Sequence, residues 1–197
     1  MKILFLIGSY LLGAFPTGFL LVKLTSKRDI REVGSGSTGA TNVLRYGGWK
    51  LAIPVLLIDG LKGFLPAILA TALFDDQKMT ALAVLAAVIG HCYPVYLKFR
   101  GGKGVATSLG GYLYLAPRSL IISLGLALIL LLLFRYVSLA SLAGLLSFPF
   151  WTLLTFENNL LFWTGLLIFL VIFIRHRQNI NRLIAGTERK LGDRVHG

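Results

Sequence analysis

Between Arg118 and Arg135 the chain reads Ser119-Leu-Ile-Ile-Ser-Leu-Gly-Leu-Ala-Leu-Ile-Leu-Leu-Leu-Leu-Phe134, without a charge. A helix at a soluble surface keeps one polar face, whereas a helix in lipid is apolar all round. Outward from this run, the same texture recurs at about 3–24, 50–73, 79–98, 104–116, 136–156 and 158–174. With 118–134, that predicts seven spans. The 104–116 stretch is short and glycine-rich, with the look of a half-helix or a re-entrant segment packed against protein. The whole chain agrees with its most apolar part. Of 197 residues, 56% are apolar and 14% charged, against about 25% charged in a soluble domain. A chain this short has no interior large enough to hide so much apolar surface, which excludes a soluble globular protein. The same hydrophobicity excludes disorder. The expected fold is therefore all-α and polytopic, a single integral-membrane domain over 1–197. Cys92 is the only cysteine, so an internal disulfide and a multi-cysteine metal site are excluded.

The first run, 3–24, has one basic residue, Lys2, and no small-x-small cleavage site. With more spans following, it reads as a retained helix rather than a signal peptide. Gly13, Pro16 and Gly18 interrupt it, predicting a bent helix that borders a cavity. Seven spans put the termini on opposite sides, and Lys and Arg decide which is which. One side collects Lys23, Lys27, Arg28, Arg31, Arg45, Lys50, Lys98, Arg100, Lys103, Arg135 and the six basic residues of the tail. The other holds Lys2, Lys78 and Arg118, with the acids Asp75, Asp76 and Glu157. The basic side is expected to be cytoplasmic and the N-terminus outside. The formal net charge of +12 then reads as positive-inside loops with a lipid or phosphate partner, not nucleic acid.

Polar residues and glycine collect in four places. Gly34-Ser35-Gly36-Ser37-Thr38-Gly39-Ala40-Thr41-Asn42, followed by Arg45, lies in the longest loop, about 25–49. Such glycines let backbone N–H groups turn inward around an anion, and arginine pairs with phosphate bidentately. The same residues also read as a flexible loop with a headgroup arginine. Gly34, Gly36 and Gly39 spell G-x-G-x-x-G, but no strand precedes them, and Ala40-Thr41 stands where a P-loop needs Lys-Ser/Thr. No nucleotide cofactor is expected. Asp59 and Lys62 sit three apart on one helix face inside a span, as a self-neutralising pair or with Lys62 lending positive field to a site.

The densest cluster runs from His91 to Thr107. Its Gly101-Gly102-Lys103-Gly104 directly precedes a helix, where N–H groups and the positive dipole end meet an anion. The fourth cluster is Arg175-His176-Arg177-Gln178-Asn179-Ile180-Asn181-Arg182, whose charges suit the flank of a last span. Ser138 and Ser141 lie three apart in the sixth expected span, where small residues mark close packing. Trp151 and Trp163 read as interfacial.

Three of these clusters fall on one expected face and form a basic, glycine-rich pocket at a membrane surface. It suits a ligand with a phosphate head and an acyl tail. Conventional machinery is missing. There is no Gly-x-Ser-x-Gly elbow. Tyr96 and Asn181 stand five places after His91 and His176, where many membrane acyltransferases carry Asp. There is no zinc constellation either. An enzyme with these residues needs an activated substrate, with positioning and electrostatics supplying much of the rate. A small transporter of a phosphorylated solute is the alternative, since it too uses broken helices and intramembrane charge.

Taken in order, Leu12-Gly13-Ala14-Phe15-Pro16-Thr17-Gly18, the Gly34–Asn42 loop, Asp59-x-x-Lys62-Gly63-x-x-Pro66, Gly90-His91 through Thr107, and His176-Arg177-x-Asn179-Ile180-x-Arg182-Leu183 resemble the bacterial acyl-phosphate:glycerol-3-phosphate acyltransferases, the PlsY family. The resemblance covers nearly the whole chain. Ser37 stands where the family often has Asn. It implies a multi-pass enzyme of the bacterial inner membrane with its active site on the cytoplasmic side. The implied reaction moves a fatty acyl group from acyl phosphate to the sn-1 hydroxyl of glycerol 3-phosphate. Products are lysophosphatidic acid and phosphate, with no cofactor or metal, and a monomer is expected. Mapped here, it implies phosphate contacts from Arg45 and Lys103. It implies substrate contacts from Ser35, Gly36, Ser37, Gly39, Thr41, Asn42, Lys62, Gly101, Gly102, Gly104, Ser141 and Asn181. His176 and Asn179 would close the glycerol-phosphate side, and His91 would orient the loop or help in proton transfer.

Overall fold

Phe15 precedes Pro16, and there the first helix stops. A residue before proline is driven out of the helical region, and Phe15 takes φ −55°, ψ 123°. The computed structural model, which describes residues 1–156 and 159–194, divides the first apolar run into α1 (Lys2–Ala14) and α2 (Thr17–Ser26). The loop expected over 25–49 contains a helix of its own, α3 (Ala40–Gly47), which breaks at Gly48 (φ 72°) into α4 (Trp49–Phe74). The Asp76 side chain accepts the Lys78 and Met79 N–H groups and so starts α5 (Gln77–Cys92). A short turn at Val95–Leu97 follows. Then come α6 (Val105–Leu115), α7 (Pro117–Phe134), α8 (Val137–Phe156), α9 (Asn159–Arg175) and α10 (Arg177–Ile184). Pro117 opens α7, where its missing N–H costs nothing. No strand occurs among the described residues.

Two crossings hold the bundle together, both through glycine. A Cβ on Gly13 of α1 would stand 2.0 Å from Ala87 O of α5, and one on Gly90 would stand 2.1 Å from Tyr10 O. On the other pair, a Cβ on Gly63 of α4 would meet Thr107 O of α6 at 1.9 Å, and one on Gly110 would meet Gly60 O at 1.9 Å. Small residues let backbones approach where lipid offers no hydrophobic drive for helix association. Val84, Val88 and Cys92 of α5, Tyr112 of α6, Phe148 of α8 and Ile168 and Ile172 of α9 fill the middle. A second apolar cluster, Val22, Ile30, Val33, Val43 and Val55, pins the 27–39 loop and α3 onto α2 and α4. Outward, α7 shows Leu128, Ile129, Leu132 and Leu133, and α8 shows Leu154, the inverse of a soluble surface.

The two ends of the bundle are distinct. Lys2 Nζ lies 2.8 Å from Asp76 Oδ2 at one. At the other, Leu191 N–H donates to Arg135 O at 2.7 Å and the Arg135 guanidinium donates to Leu191 O at 3.1 Å. The N-terminus and the described end of the tail are thus at opposite ends.

Five helical stretches are long and apolar enough to cross a membrane: Lys2–Ser26, Trp49–Phe74, Gln77–Leu97, Pro117–Phe134 and Val137–Thr155. Asn159–Arg175 with Arg177–Ile184, bent by 66°, makes a sixth if the pair is one span. The difference from seven lies at 104–116. There α6 has 11 residues, about 16 Å of helix against a hydrocarbon core of about 30 Å. The Gly101–Gly104 loop cuts it short at one end and Pro117 at the other. Glu157, counted with the outer acids, and Asn158, the expected start of the last span, lie outside the described residues.

Candidate active site

The glycine loop owes its shape to one side chain. Asn42, buried on α3, accepts Ser35 N–H at 2.9 Å and donates to Ile30 O, Val33 O and Ser37 O at 3.2, 2.9 and 2.9 Å. Gly34 and Gly36 take φ +63° and +68°, which a side chain resists. Gly18 backs the loop, since a Cβ there would be 2.0 Å from Thr38 O. The bend expected from Gly13, Pro16 and Gly18 is therefore present, and it seats this loop. Arg45, one turn past Asn42, is buried and donates to Arg189 O at 3.1 Å.

The second glycine loop is held from two sides. Gly102 N–H donates to His91 O at 3.0 Å, and a Cβ on Gly102 would collide with His91 Nε2 at 2.0 Å. From α9, Arg175 donates to Gly102 O at 3.1 Å and Gly101 O at 2.9 Å, its guanidinium lying 5.1 Å from the Tyr93 ring centre. Gly104 at φ +86° starts α6. With both flanks fixed, the Lys103 backbone is held at the rim of the site.

Two hollows meet at Lys103, and a third adjoins the inner one. An inner polar cavity of about 200 Å³ is lined by Ser35, Ser37, Gly39, Thr41, Arg45, His91, Lys103, Gly104, Ser138, Ser141 and His176. A cleft of about 920 Å³ is lined by Gly36, Gly101, Asn179 and the cations Arg31, Lys98, Arg100, Arg175 and Arg177. Ser35, Ser37 and Lys103 line both and so form the wall between them. A third hollow, an apolar groove of about 230 Å³ between α6, α7 and α8, shares Val105, Val137 and Ser141 with the inner cavity.

The charges are strained in a useful direction. Burial pushes the Lys103 ammonium down to about 8, with Glu188 opposing and Arg45, Arg182 and Arg175 adding to the shift. Burial likewise pulls Arg45 below its ordinary value. His176 Nδ1 lies 2.9 Å from Ile172 O. A carbonyl only accepts, so Nδ1 carries the proton and Nε2 is the free lone pair.

A cationic, donor-rich cavity opening into an apolar groove suits an amphiphilic anion. The sequence profile of the glycerol-3-phosphate acyltransferases matches residues 3–186. The chain belongs to this family. A glycerol-3-phosphate acyltransferase of Syntrophotalea carbinolica is 46% identical over 94% of this chain and 95% of its own length. The crystal structure of PlsY, an integral membrane glycerol 3-phosphate acyltransferase, in its glycerol 3-phosphate form is 40% identical, with a TM-score of 0.92 over 97% of this chain and 96% of that one. Its lysophosphatidic acid form gives a TM-score of 0.88 at 38% identity, over 98% and 96%. The transporter alternative finds no support in these relatives.

Within this acyltransferase, most of the residues singled out from the sequence come together; three do not, and a fourth is there with its polar atoms already engaged. Lys62 is turned away: its Nζ donates to Asp59 Oδ1 at 2.5 Å and to Phe15 O at 2.6 Å, so it neutralises a buried carboxylate and serves the helix break. Gly102 lines none of the three hollows, and His91 fills the place its Cβ would take. Asn181 is exposed on the far side of α10, its carbonyl accepting Ala185 N–H. Asn42 lines the inner cavity, but both ends of its carboxamide are spent on the loop. Sequence reasoning missed Glu188, Arg175's clamp and Ser138's bond to Glu188 at 3.0 Å. Asp59, read only as half of an ion pair, also lines the inner cavity, 3.7 Å from His91 Nδ1.

Proposed function

We propose that this acyltransferase moves a fatty acyl group from acyl phosphate to the sn-1 hydroxyl of glycerol 3-phosphate. The products are lysophosphatidic acid and inorganic phosphate. The observation that carries the reading is the place of Lys103, on the wall between a wide cationic cleft and a cavity continuous with an apolar groove. One hollow suits a water-soluble phosphate, the other a phosphate with an alkyl tail.

The chemistry balances without a carboxylate base. The hydroxyl oxygen attacks the acyl carbon, the bond from that carbon to the phosphate oxygen breaks, and the departing phosphate takes the hydroxyl proton. Lys103 and Arg45 hold phosphate oxygens, and Ser35, Ser37, Thr41 and the backbones of Gly36, Gly39, Gly101 and Gly104 supply further donors. His176 Nε2 and Asn179 close the glycerol side, and Ser141 stands where cavity meets groove. His91 holds the Gly101–Gly104 loop through its carbonyl. The protein acts as one domain, as a monomer, and without a cofactor. Counting α6 as a crossing gives seven and leaves the N-terminus outside. The cationic end then faces the cytoplasm of a bacterial inner membrane, in keeping with the positive-inside rule.

The test supplies purified protein with glycerol 3-phosphate and either palmitoyl phosphate or palmitoyl-CoA, following lysophosphatidic acid. Product from the acyl phosphate alone is expected. Product from the thioester overturns the donor, and no product from folded protein overturns the reaction.

A second expectation concerns pH. Lys103 is charged below about 8, and a phosphate monoester becomes a dianion above about 6. So kcat/KM for glycerol 3-phosphate should be bell-shaped, falling by up to about tenfold per pH unit above the Lys103 value. In Lys103→Arg the alkaline limb should vanish, because arginine stays charged. A limb unchanged in that variant would assign the titration to another group.

A further inference from the structure

The family profile ends at residue 186, yet the site does not. At Gly186 (φ +67°) the chain turns back, Thr187 N–H donating to Arg182 O at 2.8 Å. The next residue, Glu188, is 7% exposed and carries three hydrogen bonds. Oε1 accepts from Asn179 Nδ2 at 2.6 Å and from Ser138 Oγ at 3.0 Å, and Oε2 accepts from Arg182 Nε at 2.7 Å. Beyond it, Arg189 O takes the Arg45 guanidinium and Leu191 is tied both ways to Arg135. The tail is thus a strap across the cationic end of α3, α8 and α10, and it inserts one carboxylate.

We propose that Glu188 is a positioning residue: it fixes the carboxamide of Asn179 so that the oxygen, not the nitrogen, is offered to a substrate hydroxyl. The inference rests on the acyltransferase reading of this site. An ionised carboxylate only accepts, so the group that meets it must be the Asn179 amide nitrogen. Asn179 lines the cationic cleft, and with its nitrogen drawn to Glu188 the carboxamide oxygen is the end this proposal assigns to that cleft. Phosphate oxygens are acceptors too and are repelled there, whereas a hydroxyl donates. Asn179 therefore reads the glycerol part of the substrate and leaves the phosphate to Lys103 and Arg45, and an alcohol is oriented with its O–H already engaged. Without Glu188 the carboxamide is free to flip, and its nitrogen would face a hydroxyl that has to act as the donor. The three bonds and the nearby Arg182 outweigh burial and hold Glu188 ionised, below the ordinary carboxylate range, so the orientation persists at neutral pH.

A charge-reversed pair tests this. In full-length protein with saturating palmitoyl phosphate, Glu188→Ala should raise KM for glycerol 3-phosphate about tenfold or more while KM for the acyl phosphate stays put. Asn179→Asp sets two carboxylates face to face and should cost about a hundredfold in kcat/KM. Glu188→Gln combined with Asn179→Asp restores a donor facing an acceptor and keeps an oxygen toward the cleft, so it should recover about tenfold over Asn179→Asp alone. A merely structural tail predicts no recovery. If the double variant is no better than the single, or Glu188→Ala leaves both KM values unchanged, the proposal is wrong while the reaction stands. If the wild-type protein forms no product, the acyltransferase reading falls and takes the proposal with it.

Discussion

Lys103→Ala should leave a folded protein whose turnover has dropped by about a hundred- to a thousand-fold. The loss follows from where the ammonium sits. It belongs to the wall shared by the cleft and the inner cavity, so it touches whatever anion lies on either side. Its neighbours on the loop are clamped by His91 and Arg175, so the ammonium is carried on a held backbone. In a cavity of this size, one positioned charge meets the charge that develops as the phosphate leaves. Stability should move the other way. Burial lowers the Lys103 value from 10.5 to about 8, so between those values the folded protein binds fewer protons than the unfolded chain. Stability in the wild type therefore rises with pH across that window, and below it the buried charge is a cost. Alanine removes both the cost and the rise. Thermal unfolding in detergent, followed from pH 7 upward, together with a turnover assay, reads both halves. Near-normal turnover in the variant would end the phosphate-site assignment.

Gly63→Ala should be among the most damaging single methyl groups in the bundle. Its Cβ would stand 1.9 Å from Thr107 O and 2.9 Å from Gly111 N, both backbone atoms of α6. A side chain can rotate away from a clash, but a helix backbone moves only as a rod. So α4 and α6 must separate, and Gly104, Lys103 and the loop that precedes α6 move with it. Overpacking of this kind costs about 3 kcal/mol, and most of the activity should go with the geometry. The comparison is Gly125→Ala on α7, where nothing lies within 4 Å of the added atom and the thermal midpoint should not change. If Gly63→Ala melts with the wild type, the α4–α6 crossing is looser than described.

These two residues mark what a sequence does and does not reveal. Lys103 was legible because three glycines surround a lysine ahead of an apolar run, a local pattern. The long spans were legible for the same reason, since hydropathy is summed along the chain. Gly63 was visible only as one letter of a motif, because its contact lies 44 residues away on another helix. The short 104–116 stretch, read as a half-helix or re-entrant segment, corresponds to α6 at Val105–Leu115; hydropathy overcounted it only as a full crossing. Glu188 gave no signal at all. In Thr187-Glu188-Arg189-Lys190 it looks like one more charge of a basic tail, and only the turn at Gly186 brings it to Ser138, 50 positions upstream. Asn42 and Lys62 show how the structure can engage a polar group elsewhere. Both had the chemistry of ligands, but loop carbonyls claim one, and Asp59 with the Phe15 carbonyl claims the other.

That last contact bears on how the protein is made. The break before Pro16 leaves the Phe15 carbonyl at the end of a helix, with the Thr17 N–H as its local donor and the Lys62 ammonium, at 2.6 Å, as its charged one. The ribosome delivers residues 1–26 well before residue 62. During that interval the nascent first span carries an underserved carbonyl, which lipid cannot satisfy. Lys62 in turn emerges with Asp59 and finds its second acceptor waiting upstream. Helices are commonly pictured as inserting first and associating afterwards. Here the Phe15–Lys62 contact ties the two stages together: the helix break gains its charged donor only when the span carrying Lys62 docks beside it.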